Sequence, residues 1–314
     1  MTSPRALLLL GPTASGKTAL SLQLAAKFPV EIISVDSALV YRGMDIGTAK
    51  PTLEERGICP HHLIDIREIS ESYSAADFSE DATQLIKDIL SRRHIPLIVG
   101  GTMLYAKALR EGIDDLPPTD PAVREEVLRE LRERGLPALR EELRKVDPAC
   151  VERLTEGDTQ RIARAIEVYR MTGRAISEFQ KGTRTPDPTL RVVGLMPSDR
   201  SRLHADISRR FDAMLQEGFL EEMRTLMARE DFAKELPSMR SVGYRQAIDY
   251  LESRTDKTQF IEAAKAATRQ LAKRQMTWLR SMQEVTLFDP HTEASVDFVS
   301  KVTPVLEAIA QGLA

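Results

Sequence analysis

Cysteine is nearly missing from this chain: Cys59 and Cys150 are the only two among 314 residues. Neither stands in a metal-type spacing, so a disulfide framework and a zinc scaffold are both excluded and a reducing compartment is implied. Long hydrophobic runs are missing too. No stretch approaches 18 apolar residues, and the five-residue apolar run that follows the first five residues is too short for a signal peptide or a span. A soluble, cytoplasmic protein with no membrane partner is expected. An excess of either charge is also lacking, with 44 basic residues against 47 acidic ones, a net charge of −3. Attraction of nucleic acid by the whole molecule is therefore excluded, and any such contact must come from local patches. Internal repeats and low-complexity tracts are absent. What the chain does have is ample apolar content (42%), enough for one large or two modest domains.

The most specific stretch is Gly11-Pro12-Thr13-Ala14-Ser15-Gly16-Lys17-Thr18, directly after the apolar run Leu7–Leu10. It fits G-x-x-x-x-G-K-[ST], a phosphate-binding loop, and average composition makes a chance match in such a chain about one in a hundred. The context fits as well: Ala6–Leu10 reads as a short buried strand and Thr18–Lys27 as the helix that follows. Gly11 and Gly16 allow backbone conformations forbidden to a residue with a Cβ, so successive N–H groups can converge on an anion. The helix N-terminus adds donors and a positive dipole end. Lys17 supplies a point charge for terminal phosphates, and the Thr18 hydroxyl suits Mg²⁺, which prefers hard oxygen ligands. The loop alone does not say which phosphate it holds.

The next strand, Glu31–Ser37, carries Asp36 at the ligand edge of a parallel sheet. Three roles stay open for that carboxylate: an Mg²⁺-holding acid, a general base facing a nucleophile, or an ordinary turn residue. Residues 37–50 read as loop, punctuated by Gly43, Gly47 and Pro51. His61 and His62 sit on a possible short strand and point to opposite faces, which argues against a metal site. An amphipathic helix is expected over Ser74–Arg93. The run Ile95–Val99 then reads as a buried strand, followed by Gly100-Gly101-Thr102 and a helix over Met103–Leu109. Thr102 thereby reaches the same sheet edge, either as a helix cap or as a substrate contact.

Composition changes at Leu116–Pro121, and residues 116–189 read as a helical insertion in an α/β core. Within it Ala122–Lys145 is a charged, two-helix segment interrupted near Gly135, mostly a solvated face. Thr159–Thr172 has an apolar stripe of Ile162, Ile166 and Tyr169, with Gln160, Arg161, Arg164 and Arg170 on the remainder. Leu190–Met196 returns to the sheet. Helices are expected over Arg200–Glu217, Phe219–Arg229 and Thr258–Arg280, then a last strand Val285–Phe288 and a helix Val296–Ala310. Ser238–Gln246, with two arginines and a tyrosine, suits RNA, and equally a plain loop-to-helix junction. Lys265, Arg269 and Lys273 repeat at four-residue spacing and read as a basic stripe on the long helix.

The ordered set GPTASGKT, SVDSALVYRGMDIGTAKP, IVGGTMLYAKAL, QRIARAIEVY, RSVGYRQ and KRQMTWLR resembles the bacterial tRNA dimethylallyltransferase family over essentially the whole chain. The resemblance implies a P-loop-type parallel sheet core flanked by helices, with residues 116–189 as a helical, tRNA-gripping insertion. It also implies transfer of a dimethylallyl group from dimethylallyl diphosphate to the exocyclic amine of the adenosine 3′ to the anticodon. The loop from Gly11 to Thr18 would then hold an isoprenoid diphosphate, with Mg²⁺ at Thr18. Asp36 corresponds to the family's general base, Ser37, Ala38 and Leu39 to the segment touching the target base, and Thr102 to a contact at the reacting region. Arg210, with Arg209 and Arg200 nearby, corresponds to the arginine that neutralises leaving diphosphate. Contacts to the tRNA anticodon stem-loop would come from Arg124, from Gln160, Arg161, Ile162, Ala163 and Arg164, and from Arg240, Ser241, Val242, Gly243, Tyr244 and Arg245. The run Lys273, Arg274, Gln275, Trp278 and Arg280 completes them. A monomer is expected. Three other readings share parts of this pattern: a small-molecule kinase, an NTP-dependent nucleic-acid-binding switch, and an enzyme prenylating free adenine nucleotide. None of them calls for the basic insertion and the basic helix together.

Overall fold

The computed structural model describes residues 2–180, 182 and 184–313. These form two compact units, one of residues 1–111 and 186–314, the other of residues 112–185. The limits of the smaller unit fall four residues before those expected from composition at either end.

The larger unit begins β1 (Ala6–Leu10), α1 (Lys17–Ala25), β2 (Val30–Val35), α2 (Leu53–Ile58), β3 (His61–His62), α3 (Ala75–Ser91), β4 (Ile95–Gly100) and α4 (Met103–Glu111). The smaller unit is α5 (Pro121–Val146), α6 (Pro148–Arg153), α7 (Thr159–Thr172) and α8 (Ile176–Phe179). The larger unit resumes with β5 (Leu190–Leu195), α9 (Arg200–Gln216), α10 (Phe219–Met227), α11 (Tyr244–Leu251), α12 (Lys257–Ser281), β6 (Val285–Phe288) and α13 (Ser295–Gln311).

The six strands make one all-parallel sheet in the order β3-β2-β4-β1-β5-β6. Helices cover both faces, which is why β1 can be a continuous run of fully buried apolar side chains rather than an alternating one. Its residues divide by parity: Ala6, Leu8 and Leu10 join the core built on Phe78, Tyr105 and Phe211. Leu7 and Leu9 join Leu20, Leu24, Phe298 and Leu306 on the other face. The phosphate-binding loop follows β1, Asp36 follows β2 and Gly101-Thr102 follows β4, all on adjacent strands, so three loops meet at the carboxyl edge of the sheet. That edge is where open α/β sheets bind ligands.

Capping explains several helix starts. Ser74 and Asp77 form a reciprocal capping box at α3, and Asp256 with Gln259 does the same at α12, each worth about 1 kcal/mol. In the smaller unit α5 is broken at Gly135, whose backbone is non-helical, with Pro137 just after it. The interruption expected there is present. The core of this unit is Val127, Leu139, Leu143, Ile162, Ile166 and Val168. At the junction in the larger unit, the Asp187 amide donates to the Arg110 carbonyl at 2.7 Å, so the two ends of the chain that bound the insertion lie side by side.

Candidate active site

The loop after β1 is held open by its own backbone. Gly16 has φ +85°, a left-handed conformation that glycine adopts without strain, and Ala14 is also left-handed at φ +62°. Lys17 folds back over the loop and donates to the carbonyls of Gly11 (3.0 Å) and Pro12 (2.6 Å). No carboxylate pairs with it among the described residues, and desolvation pushes its pKa down to about 7, reinforced by the Arg210 charge and opposed by Asp36. Ser15 is buried and its hydroxyl has no partner. A cation with no carboxylate beside it and an orphaned buried hydroxyl in one loop both suit an anionic, oxygen-rich ligand. Thr18 is exposed at the first turn of α1.

Asp36 accepts from the Ala38 amide at 2.8 Å through one carboxylate oxygen, with the Leu39 amide at 3.4 Å. The same bonds fix the turn that carries Ser37, Ala38 and Leu39. Turn residue and cleft carboxylate are therefore one and the same side chain. Thr102 is used differently from a helix cap: its hydroxyl accepts from the Ser37 amide at 3.0 Å, tying the loop after β4 to the loop after β2. Arg210 comes in from α9. Burial lowers its pKa, Asp36 opposes the shift, and no partner is recorded for its guanidinium among the described residues. Arg209 pairs outward with Asp206 at 2.7 Å, and Arg200 is exposed. Of the three neighbouring arginines only Arg210 lines a cleft with Lys17 and Asp36.

Ser15, Lys17, Thr18, Asp36 and Arg210 line one cleft of about 810 Å³, together with Ala38, Leu39, Gly101, Phe211 and Met214; Thr102 does not line it. Ser241, Val242 and Gly243 line the same cleft, so half of the segment expected to meet RNA forms the wall of the pocket. That wall is fastened from behind. Tyr244, fully buried, donates to Glu222 at 2.6 Å, and Glu222 also accepts from the amides of Asp45, Ile46 and Gly47. Sequence reading missed Glu222 altogether; a helical carboxylate has no local signal that it caps a loop 175 residues away.

The residues expected to contact RNA separate by exposure into three groups. Gln160, Arg161, Arg240, Arg245, Lys273, Arg274 and Arg280 are exposed. Arg124 is partly exposed and lies 3.7 Å from Glu167. Ile162, Ala163, Tyr244 and Gln275 must be corrected: all are buried, so none offers a side chain to a nucleic acid. Arg164 is half-buried, donating to the Pro117 carbonyl at 2.6 Å and pairing with Glu167. Trp278 is half-buried against the core. The basic stripe is also corrected at one end. Lys265 is engaged by Asp212 at 2.8 Å and only 13% exposed, so it is an internal ion pair rather than a free cation.

No group of three or more His, Cys, Asp or Glu suited to a metal is found among the described residues. His62, His94 and Arg92 instead surround the buried Glu31 carboxylate, which they hold down at about 2. No helix of the described residues is long and apolar enough to cross a membrane.

A family model described as IPP transferase matches residues 39–282. Among curated proteins, the tRNA dimethylallyltransferase of Cupriavidus taiwanensis is 53% identical over 306 residues, covering 95% of each chain. That of Ralstonia pickettii is 52% identical over 312 residues, covering 96% of this chain and 95% of its own. Among solved structures, the full-length tRNA isopentenylpyrophosphate transferase from Bacillus halodurans matches with a TM-score of 0.70 and 35% identity over 99% of both chains. A eukaryotic dimethylallyltransferase acting on tRNA matches with a TM-score of 0.80 and 29% identity, over 96% of this chain and 80% of that one.

Proposed function

Since the chain belongs to the IPP transferase family and is a tRNA prenyltransferase, we propose that it moves a dimethylallyl group from dimethylallyl diphosphate onto the exocyclic amine of the adenosine 3′ to the anticodon. The observation that carries this reading is the company kept by the two cleft cations. Lys17 and Arg210 are desolvated, have no carboxylate partner among the described residues and share a cleft with Asp36. A site built this way is prepared for a polyanion that becomes more negative as the reaction proceeds.

In the proposed reaction the amine nitrogen bonds to the terminal allylic carbon while the bond from that carbon to the diphosphate oxygen breaks. Asp36 accepts the amine proton, and Lys17, Arg210 and the loop amides hold the departing diphosphate. The target base is stacked in its loop and must be extracted to enter the cleft, where Ala38 and Leu39 offer an apolar wall. Mg²⁺ fits the donor set, since Thr18 and the orphaned Ser15 hydroxyl are hard oxygens beside the loop. When bound through Thr18 and the donor's phosphates it would neutralise charge on the leaving group. Arg161 with Gln160, and separately Arg240, Arg245, Lys273, Arg274 and Arg280, are proposed as backbone contacts for tRNA. In this reading the protein works as a cytoplasmic monomer.

The test is incubation of wild type and Asp36→Asn with dimethylallyl diphosphate and unmodified tRNA, followed by mass analysis of the nucleosides. Wild type should yield prenylated adenosine. Asp36→Asn should bind the diphosphate normally and turn over about 10²–10⁴ more slowly, the usual scale for a general base. Near wild-type turnover would remove Asp36 from the chemistry, and stoichiometric ADP release from added ATP would replace prenyl transfer by phosphotransfer.

A further inference from the structure

Gln275 lies in the run of α12 residues that the family resemblance allots to RNA, yet it faces the other way. Ala272, Gln275, Met276 and Leu279 recur at helical spacing and are all buried. Three of the four are the small or apolar residues such a face normally carries; the fourth is a primary amide. Both ends of that amide are occupied. Its oxygen accepts from the Thr13 amide of the phosphate-binding loop at 2.9 Å. Its nitrogen donates to the Gly101 carbonyl at 2.9 Å. The fit on that side is tight, because a Cβ placed on Gly101 would come within 2.3 Å of the Gln275 nitrogen.

We infer that Gln275 is a positioning residue for the donor's diphosphate, a strut that fixes the phosphate-binding loop against the loop after β4, and not an RNA contact. The bond to Thr13 holds the Pro12–Thr13 peptide in one orientation, just before the left-handed Ala14 and the loop amides that follow. The bond to Gly101 fixes the residue before Thr102, whose hydroxyl in turn holds the Ser37 amide beside Asp36. One side chain thus sets the spacing between the groups that hold diphosphate and the groups that face the amine. Only an amide serves, since one end must accept and the other donate. A carboxylate would turn a lone pair toward the Gly101 carbonyl, and a thioether would leave both backbone groups unpaired in a buried place. Lys273 and Arg274, the exposed neighbours, leave the cleft to Gln275 and face solvent.

This inference rests on the reading that the loop holds the diphosphate. The experiment uses full-length wild type, Gln275→Met, Gln275→Glu and Arg274→Met, with inorganic pyrophosphate as probe by calorimetry and unmodified tRNA by anisotropy. KM is measured for each substrate. Gln275→Met should weaken pyrophosphate binding and raise KM for dimethylallyl diphosphate about ten- to a hundredfold, the scale of two lost hydrogen bonds in a buried place. Gln275→Glu, which keeps the acceptor for Thr13, should fall between it and wild type. Both should bind tRNA within about twofold of wild type, whereas Arg274→Met should do the reverse. A merely destabilised variant would lose active fraction, lowering kcat with both KM values unmoved, and that result would overturn the proposal. So would Gln275 variants that lose tRNA affinity while pyrophosphate binding stays intact. Wild type that fails to bind pyrophosphate would overturn the diphosphate reading itself, and this inference with it.

Discussion

Two sets of basic side chains, one in the cleft and one in the smaller unit, are held in opposite ways. Lys17 and Arg210 are desolvated, have no carboxylate partner among the described residues, and have pKa values pushed down by burial. Arg170 in α7 has three acidic neighbours: both oxygens of Glu130 at 2.8 and 3.0 Å, Glu142 at 2.8 Å, and Glu126 at 3.6 Å. Its pKa is raised by those bonds. Arg164 is similarly engaged by Pro117 and Glu167. A cation surrounded by acids is already satisfied and holds a fold together. A cation half-withdrawn from water with no acid beside it, as Lys17 is with only two loop carbonyls to donate to, keeps its charge available for an anion, and it does so at a cost to the empty protein. Counting arginines along α7 therefore overstates what that helix can offer a nucleic acid, and the short list of unpartnered cations is the better guide.

The sharpest way to break this contrast is at Lys17. Lys17→Met should lower kcat/KM for dimethylallyl diphosphate by about 10²–10³, the loss typical of one preorganised charge-stabilising donor. The same residue predicts a pH dependence. An anion bound beside Lys17 favours its charged form and so raises its pKa above the value of about 7 in the free protein. Above pH 7 binding must then take up a proton, and affinity for pyrophosphate should fall about tenfold per pH unit. Calorimetry across that range checks it, and the pH slope should be shallower in Lys17→Met. The linked stability change has the opposite sense. With the folded pKa below the unfolded one, the empty protein gains stability as pH rises from about 7 toward 10.5, and it lacks that gain below pH 7.

Next in size is the exposed surface of α12. Reversing Lys273, Arg274 and Arg280 to glutamate should reduce the slope of log tRNA affinity against log salt by about 2, at roughly 0.7 to 0.9 per lost phosphate contact. Lys265→Met should leave that slope unchanged, because Asp212 already neutralises Lys265. If the two variants behave alike, the distinction between free and engaged cations fails. A smaller effect is expected at Arg170→Met, which strands Glu130 and Glu142 with only Arg134 beside them. A loss of about 1–2 kcal/mol in denaturant unfolding should follow, partial exposure keeping it below the cost of breaking a fully buried pair. KM for dimethylallyl diphosphate should not move.

Much of this was legible in the chain itself, and the exceptions have physical causes. The helix Thr159–Thr172 falls where the residues put it, because burial imposes a period that the sequence displays. α2 lies in a stretch beyond residue 50 for which the sequence suggested no element: six residues with none buried carry no period to detect. That the loop Gly11–Thr18, Asp36 and Thr102 share one edge of the sheet was visible, because loops at strand ends converge in a parallel sheet. The partners of Tyr244 and Gln275 were not, since each bond spans parts of the chain that no local pattern connects. Yet Gln275 did leave a trace. It is a polar residue at an apolar position of the Ala272–Leu279 stripe, and such an exception marks a side chain with an appointment in the interior.

The hydrogen bond from Asp187 to Arg110 has a consequence for how the chain can be cut. It brings together the two points where the core chain departs and returns, so the intervening 112–185 segment is, to the sheet, only a long excursion from a closed seam. Closing a loop costs only about 0.6 kcal/mol for each doubling of its length. Replacing the excursion by a four-residue bridge removes about four doublings and relieves the core of about 2 kcal/mol. The larger unit closes its own chain at this seam, so a version with a short bridge there is expected to keep the sheet and the cleft.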